Sequence, residues 1–476
     1  MSTTYTKKVL IEFKRSDELV LDGQSRVCNW LYNQLIEACE KDYKENNNEK
    51  KLLSDRNLRD YAVSMKEEYP FLKAVFSSVL KEPAARLKLA YEAFFKGDGG
   101  HPHFRSWKNK WFSLVYDEPN KGWEVRNGGS EIAIALGQIP ELAKIDGKRN
   151  PYVVGKLKEH VVLKPNEIFK TLSIVKQHNK FYGIFVIEKC SSDEFEHKAK
   201  MTEYRKECNT IKRSNKENEK NDPLPEKPVF TAEVKEPPEN CKWAAIDPNH
   251  KNFFVLLDYQ GNNIEFTKLE MVKYWDKVID KLKSKRDKCE KNYKKRKTEN
   301  GAKYTVHSPR WNRLNEALER AYDARREQIK SALYSIAHVL YKEYDLIMIG
   351  DYVPSNATAP FDNMKRSMLN QTHIGSFRKT LEWVAQKEGK FYKKIDERNT
   401  TKTCCICGFK EKKDPNIREY TCPKCGTKFM RDSNSAANIG VKGGYSLEET
   451  FLKKSIENFS HKGYVKYGQK AQIVKI

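Results

Sequence analysis

The sequence has 476 residues and carries 89 Lys and Arg against 65 Asp and Glu, a net charge of +24 with a pI near 9.3. Such a surplus attracts phosphate backbones whatever their sequence, and 8 Trp, 24 Tyr and 22 Phe offer faces on which unpaired bases can stack. No apolar run reaches the roughly 18 residues of a membrane span, and the first residues lack a signal-peptide apolar stretch. The 11 cysteines are mostly scattered singles. A membrane span and a secreted disulfide framework are therefore excluded, and a reducing, intracellular setting is expected.

In chain order, residues 7–14 alternate polar and apolar side chains and are expected to form a strand. From about Asp22 to Lys96 apolar residues recur at threes and fours, with Cys28, Leu31, Leu35 and Cys39 on one face, and predict helices. Gly97 to Gly100 break that pattern. Residues 110–190 read as β-rich, with short strands expected at 111–116, 132–136, 161–163 and 181–187. A lone strand, a helical insertion and further strands predict a β-barrel-like domain over 1–15 and 100–190, interrupted by a helical lobe over 16–99. Residues 191–240 are charged, Pro-containing and poor in apolar residues, and are expected to be a linker.

The second half alternates strands with helices and predicts an α/β domain with a mixed sheet over 241–400 and 429–476. Its first strand runs into Asp247. A basic helical insertion is expected over about 268–342, with 273–298 dense in lysine and 314–342 carrying an apolar stripe. The run D-L-I-M-I-G-D-Y reads as a buried parallel strand, followed by a helix over 376–389 and a strand over 391–395. No internal repeat is evident.

Cys404, Cys407, Cys422 and Cys425 stand at C-x2-C-x14-C-x2-C, the spacing of a four-thiolate zinc ribbon over 401–428. Gly408 and Gly426 allow the tight reversal behind each pair. Asp432 follows seven residues after the last cysteine, at the expected start of a helix. Taken singly, Asp247 reads as a turn acid before Pro248 and Asp432 as a helix N-cap. Together, in a basic chain, they read as metal-binding carboxylates. Phosphodiester cleavage by two metals needs two or three acids converging on one point, and an acid at the end of an apolar strand is costly unless it binds something.

The segments A-A-I-D-P-N-H-K-N, T-T-K-T-C-C-I-C-G, C-P-K-C-G and R-D-S-N-S-A-A-N-I resemble the TnpB-type RNA-guided nucleases of transposons. Fanzor proteins are their eukaryotic relatives, and type V CRISPR effectors share the same split RuvC-like core. Upstream, E-Y-P-F-L-K-A-V-F-S-S-V-L-K-E-P and H-P-H-F-R-S-W-K resemble the helical lobe and its exit strand. The resemblance implies a wedge-like β-barrel, a helical recognition lobe and an RNase H-like RuvC domain with an inserted zinc ribbon. It implies an RNA-guided DNA endonuclease with guide RNA and double-stranded target DNA as partners, working as a monomer with its RNA.

Two Mg²⁺ ions would be held by Asp247, Glu397 and Asp432, and one structural Zn²⁺ by the cysteines. The sequence departs from most TnpB proteins at Gly350, where a glutamate usually ends the strand. Glu397 resembles the rearranged glutamate of Fanzor proteins and takes its place, with Asp351 as runner-up and Asp396 as a neighbouring possibility. Arg431 is a candidate for the scissile phosphate. Lys283, Lys285, Arg286, Lys294, Lys295 and Arg296 are candidates for nucleic-acid backbones, or for a nuclear-import signal. His101, His103, Phe104 and Trp107 lie where the family's first half grips guide RNA and the target-adjacent motif. A nuclear location follows for a eukaryotic or viral Fanzor, a cytoplasmic or nucleoid one for a bacterial protein. The alternatives are a cleavage-inactive RNA-guided DNA-binding protein and a DNA-strand-transfer transposase.

Overall fold

A computed structural model describes residues 3–45, 51–106, 110–137, 151–218, 223–229, 236–249, 251–289, 293–297, 303–352, 373–414, 417–466 and 468–476. The chain divides into two compact units, Met1–Ala232 and Glu233–Ile476. Among the described residues no helix is long and apolar enough to cross a membrane.

The first unit begins with strand β1 (Thr3–Phe13), continues through helices α1 (Arg15–Glu45), α2 (Asp55–Glu68) and α3 (Ser77–Phe95), and returns to strands. These are β2 (Leu114–Tyr116), β3 (Trp123–Arg126), β4 (Glu131–Ala135), β5 (Tyr152–Leu157), β6 (Glu167–Gln177) and β7 (Lys180–Lys189). The strand order is β2-β6-β7-β1-β5-β4-β3, antiparallel throughout. The edge strands β2 and β3 are joined by only residues 117–122, which draws the two edges together and leaves the sheet nearly closed. The strand expected at 161–163 is a loop, and the sequence pattern missed β5. Gly155 interrupts its alternation because a Cβ there would meet Ile11 Cγ2 at 2.4 Å.

The expected linker is partly wrong. Helix α4 (Ser192–Asn218) occupies its first half. It has no apolar stripe, which hid it, but its start is a capping box. The Glu194 N–H donates to Ser191 Oγ at 3.2 Å, and the Ser191 N–H donates to Glu194 Oε2 at 3.1 Å.

The second unit contains β8 (Trp243–Pro248), β9 (Phe254–Asp258), β10 (Asn263–Phe266), α5 (Glu270–Lys288), β11 (Lys294–Lys297), β12 (Lys303–Val306) and α6 (Pro309–Glu343). Then come β13 (Leu346–Gly350), α7 (Ile374–Glu388), β14 (Phe391–Ile395), β15 (Glu419–Thr421), β16 (Lys428–Met430), α8 (Arg431–Lys442), α9 (Glu449–Glu457), β17 (His461–Tyr464) and β18 (Gln472–Lys475). The main sheet runs β14-β13-β8-β9-β10-β17-β18. Strands β8, β9 and β10 form an antiparallel meander, β13 and β14 run parallel to β8, and β17 runs parallel to β10. The basic segment is not one helix: α5 stops at Lys288, and Lys294–Lys297 pairs with β12 as a hairpin. Asn300-Gly301 between these strands was the readable hairpin signal.

Period-two alternation sorts the central strands between two layers. Ala244, Ile246, Ile347 and Ile349 pack with Ile329, Leu333, Ile336 and Leu340 of α6 and Phe377, Leu381 and Val384 of α7. Trp243, Ala245, Leu346 and Met348 pack with Ile439 of α8. The same alternation carries Asp247 and Gly350 onto the α8 side. Because β8, β13 and β14 are parallel, Asp247, Gly350 and the residues just after Ile395 end up on one rim of the sheet.

Candidate active site and cysteine centre

Asp247 is buried beneath α8, and Ser435 Oγ donates to its Oδ1 at 2.8 Å. Burial pushes its carboxyl well above the usual carboxylate range, and the charges of Asp432 and Glu397 push in the same direction. Asp432 is not the N-cap of α8, which is Met430; it lies in the first turn, buried, with Arg431 Nη2 at 3.0 Å from its Oδ1. Arg431 is only 14 % exposed in its side chain, and its Nη1 also donates to the Asp414 carbonyl, so it clamps Asp432 and the cysteine module.

Glu397 follows β14 and turns back over the end of β13. A Cβ on Gly350 would stand 2.1 Å from Glu397 Oε2, so the missing side chain is the room the carboxyl occupies. That Oε2 is buried with no hydrogen-bond partner. Burial raises the Glu397 carboxyl to about 7, with Asp351 and Asp396 adding to the rise, against the Tyr352 N–H and Arg378. The runner-up, Asp351, is otherwise employed: its Oδ1 accepts the Glu397 N–H at 3.2 Å. Asp396 is exposed and paired with Arg398, which holds its carboxyl down at about 2.

The raised Glu397 value has a consequence for stability. Between the unfolded value of 4.5 and about 7 the folded protein holds a proton that the unfolded chain has lost. The stability this gives is complete below 4.5 and is lost as pH rises through about 7. Melting of the metal-free protein is therefore expected to fall by several degrees between about pH 5.5 and pH 8, as a loss of about 2 kcal/mol requires. Glu397→Gln should flatten that part of the profile.

Helix α8 explains its motif residue by residue. Ser433 Oγ donates to Asn263 Oδ1 at 3.0 Å, and Ser435 holds Asp247. Asn434 and Asn438, one turn apart, both donate to the Thr403 carbonyl at 2.8 Å and reach the Thr400 carbonyl, while Asn434 Oδ1 accepts the Cys405 N–H. Ala436 and Ala437 are buried and keep the helix close to its neighbours. The loop carrying Glu397 and Cys404 is thus fastened to the helix carrying Asp432. Arg378 of α7, unforeseen from sequence, donates to the Gly350 and Tyr352 carbonyls at 3.1 and 2.7 Å.

The four cysteine sulfurs lie within 4.8 Å of one another, the one group of three or more such ligand atoms found among the described residues. The separations Cys404–Cys425 and Cys407–Cys422 are 3.8 and 3.6 Å. A tetrahedron with Zn–S bonds of 2.3 Å has edges of about 3.8 Å, so the donors fit zinc. Gly408 and Gly426 both take φ 70°, as the two reversals require. The three carboxylates, by contrast, do not form such a cluster, although the charges of Asp432 and Glu397 both bear on Asp247.

Of the other candidates, Lys283, Lys285 and Arg286 sit on α5, and Lys294, Lys295 and Arg296 are exposed on β11. Lys283 lies over the Tyr322 ring, and Arg286 pairs with Asp287. In the first unit Phe104 is 58 % exposed, His103 is exposed, and His101 packs edge-on against Tyr91 and Phe94. Trp107 lies outside the described residues.

A family model described as "Cas12f1-like, TNB domain" matches residues 375–439, the span from α7 to α8 that includes Glu397, the four cysteines and Asp432. The fold is similar to that of Cas12f1 in its complex with single-guide RNA and target DNA, with TM-score 0.54, 12% identity and coverage of 90% of this chain and 83% of that one. TnpB-like protein L79 of Acanthamoeba polyphaga mimivirus is 27% identical over 208 residues, 42% of this chain and 38% of the relative's length. TnpB-like protein MJ0751 of Methanocaldococcus jannaschii is 24% identical over 221 residues, 44% of this chain and 73% of the relative. The sequence likenesses thus run to TnpB-like proteins, and the chain spans less than half the length of the mimivirus relative.

Proposed function

We propose that the chain is a Mg²⁺-dependent, RNA-guided DNA endonuclease of a transposon-type element, cutting double-stranded DNA beside a short adjacent motif. In this reading the second unit is an RNase H-like RuvC domain with an inserted zinc ribbon. Three antiparallel strands followed by two parallel ones, with acids on the shared rim, support it. The observation that carries the reading is Glu397 Oε2, buried without a partner in the space left by Gly350. Two further acids nearby resist ionisation of Asp247. Such a group of carboxylates is costly to charge and fits hard divalent cations.

Asp247, Glu397 and Asp432 would hold the Mg²⁺, which supplies activation of the attacking water and stabilisation of the leaving oxygen. Ser435 fixes the orientation of Asp247, and Arg431 that of Asp432. Asp351 and Arg378 tie the end of β13 to the turn that presents Glu397. Cys404, Cys407, Cys422 and Cys425 hold Zn²⁺ and keep the Glu397 loop against α8. Pairing of a bound guide RNA selects the target sequence. The displaced glutamate favours the Fanzor type and, with it, a nuclear setting. The test is to purify the protein with its RNA, sequence that RNA, and offer a plasmid carrying the matching target with randomised flanks. Cutting is expected only with Mg²⁺ and intact RNA; cutting that survives RNase treatment would contradict the reading.

A further inference from the structure

Strands β8, β10 and β17 are mutually parallel, so the residues at their carboxyl ends share the rim that bears Asp247. Along that rim lies a cleft of about 750 Å³. Its walls include Lys251 and Asn252 after β8, Lys268 after β10, Lys273 of α5, Lys462 of β17, and Arg418. None of these four lysines has a carboxylate within salt-bridge distance among the described residues. Burial, and then the charge of Lys273, lower the Lys268 ammonium's affinity for its proton. Two acids share the walls, Glu265 and Glu270, against six cations once Lys466 is counted; Glu265 is engaged elsewhere, its Oε1 accepting from Asn252 Nδ2 at 2.8 Å and Arg418 Nη1 at 3.2 Å. Arg418 Nε is left unpaired. Converging cations in excess of the acids beside them cost energy unless an anion joins them.

The cleft is tied to the acids. The Arg418 carbonyl accepts the Arg431 N–H at 2.7 Å, and Arg431 holds Asp432. From β8 to β17 is three strand spacings, about 14 Å, enough for several consecutive phosphates. We propose that this cleft cradles the phosphodiester backbone of the DNA strand entering the carboxylate site. Naming that strand as DNA rests on the nuclease reading above. The cleft reads charge and not bases, so it binds any sequence, and it sets the line along which a strand meets Asp247 and Asp432.

The test uses the purified complex with its RNA and a labelled single-stranded oligodeoxynucleotide of about 20 nucleotides unrelated to the guide, titrated over a range of KCl concentrations. The Lys251→Ala/Lys268→Ala/Lys462→Ala variant is expected to bind about tenfold more weakly. Its log–log salt slope should be shallower by about 2, since each lost single-strand phosphate contact is worth about 0.7. The triple Lys→Arg variant should behave as wild type, and melting and the yield of co-purified RNA should stay unchanged. An unchanged slope overturns the proposal. Loss of co-purified RNA in proportion to binding also overturns it, and assigns the cleft to the guide. Failure of the wild type to cut DNA while the slope still shifts would remove the nuclease reading and leave the cradle standing.

Discussion

Gly350→Ala is expected to lower target cutting by about a hundredfold or more, the cost of misplacing a reacting group by an ångström or so. The added Cβ would meet Glu397 Oε2 at 2.1 Å and Pro248 Cδ at 3.2 Å, so the carboxyl must leave its place. The substitution should not unfold the protein, because Gly350 is not among the residues with positive φ and ends a regular strand. Moving a buried carboxylate towards water even removes a burial cost above pH 7. Melting should therefore hold steady or rise while cutting falls, a split that simple misfolding does not produce. The double variant Gly350→Glu/Glu397→Ala puts an acid back at the end of β13 and should recover part of the activity that Glu397→Ala loses. Plasmid cleavage rates and thermal melting on the same preparations check both statements.

Cys422→Ser is expected to remove the bound zinc and nearly all cutting. Cys422 is 1% exposed, and Cys404 and Cys422 pack with Phe429, Ala436 and Ala437. Among the described residues the module has only β15 and β16 as regular structure, so its fold depends on the metal, as in small zinc domains where binding is worth about 10–16 kcal/mol. Losing it frees the loop that Asn434 and Asn438 pin through the Thr400 and Thr403 carbonyls, and Glu397 with it. Metal analysis should fall from one zinc per chain to none, and limited proteolysis should cut between Cys404 and Cys425. A variant that keeps wild-type zinc or wild-type cutting would contradict this role.

Much of the site was legible because the informative residues stand in short segments. The cysteine spacing and its two glycines announced a four-thiolate centre, and the structure brings the four sulfurs together. The apolar run into Asp247 placed that residue within a strand, and in the structure it stands one residue from the strand's end, where alternation puts it on the α8 face. Other parts were hidden for physical reasons. Ser435 reaches Asp247 across 188 residues, and nothing local marks a serine in a helix as the partner of a distant strand. Arg378 acts on backbone carbonyls, which have no sequence signature. Gly350 could be read as a missing acid, but only packing shows it as the space that Glu397 fills. Helix α4 escaped because its cap, not its composition, defines it.

The most direct test is cleavage of a guide-matched plasmid by the purified ribonucleoprotein, with Glu397→Ala and Asp351→Ala run beside the wild type in Mg²⁺. The account predicts that Glu397→Ala loses cutting by about a thousandfold or more, as expected for losing a group that acts on the reacting centre. It predicts that Asp351→Ala, which loses one hydrogen bond to the Glu397 backbone, stays within about tenfold of wild type. Cutting by Glu397→Ala at the wild-type rate would contradict it.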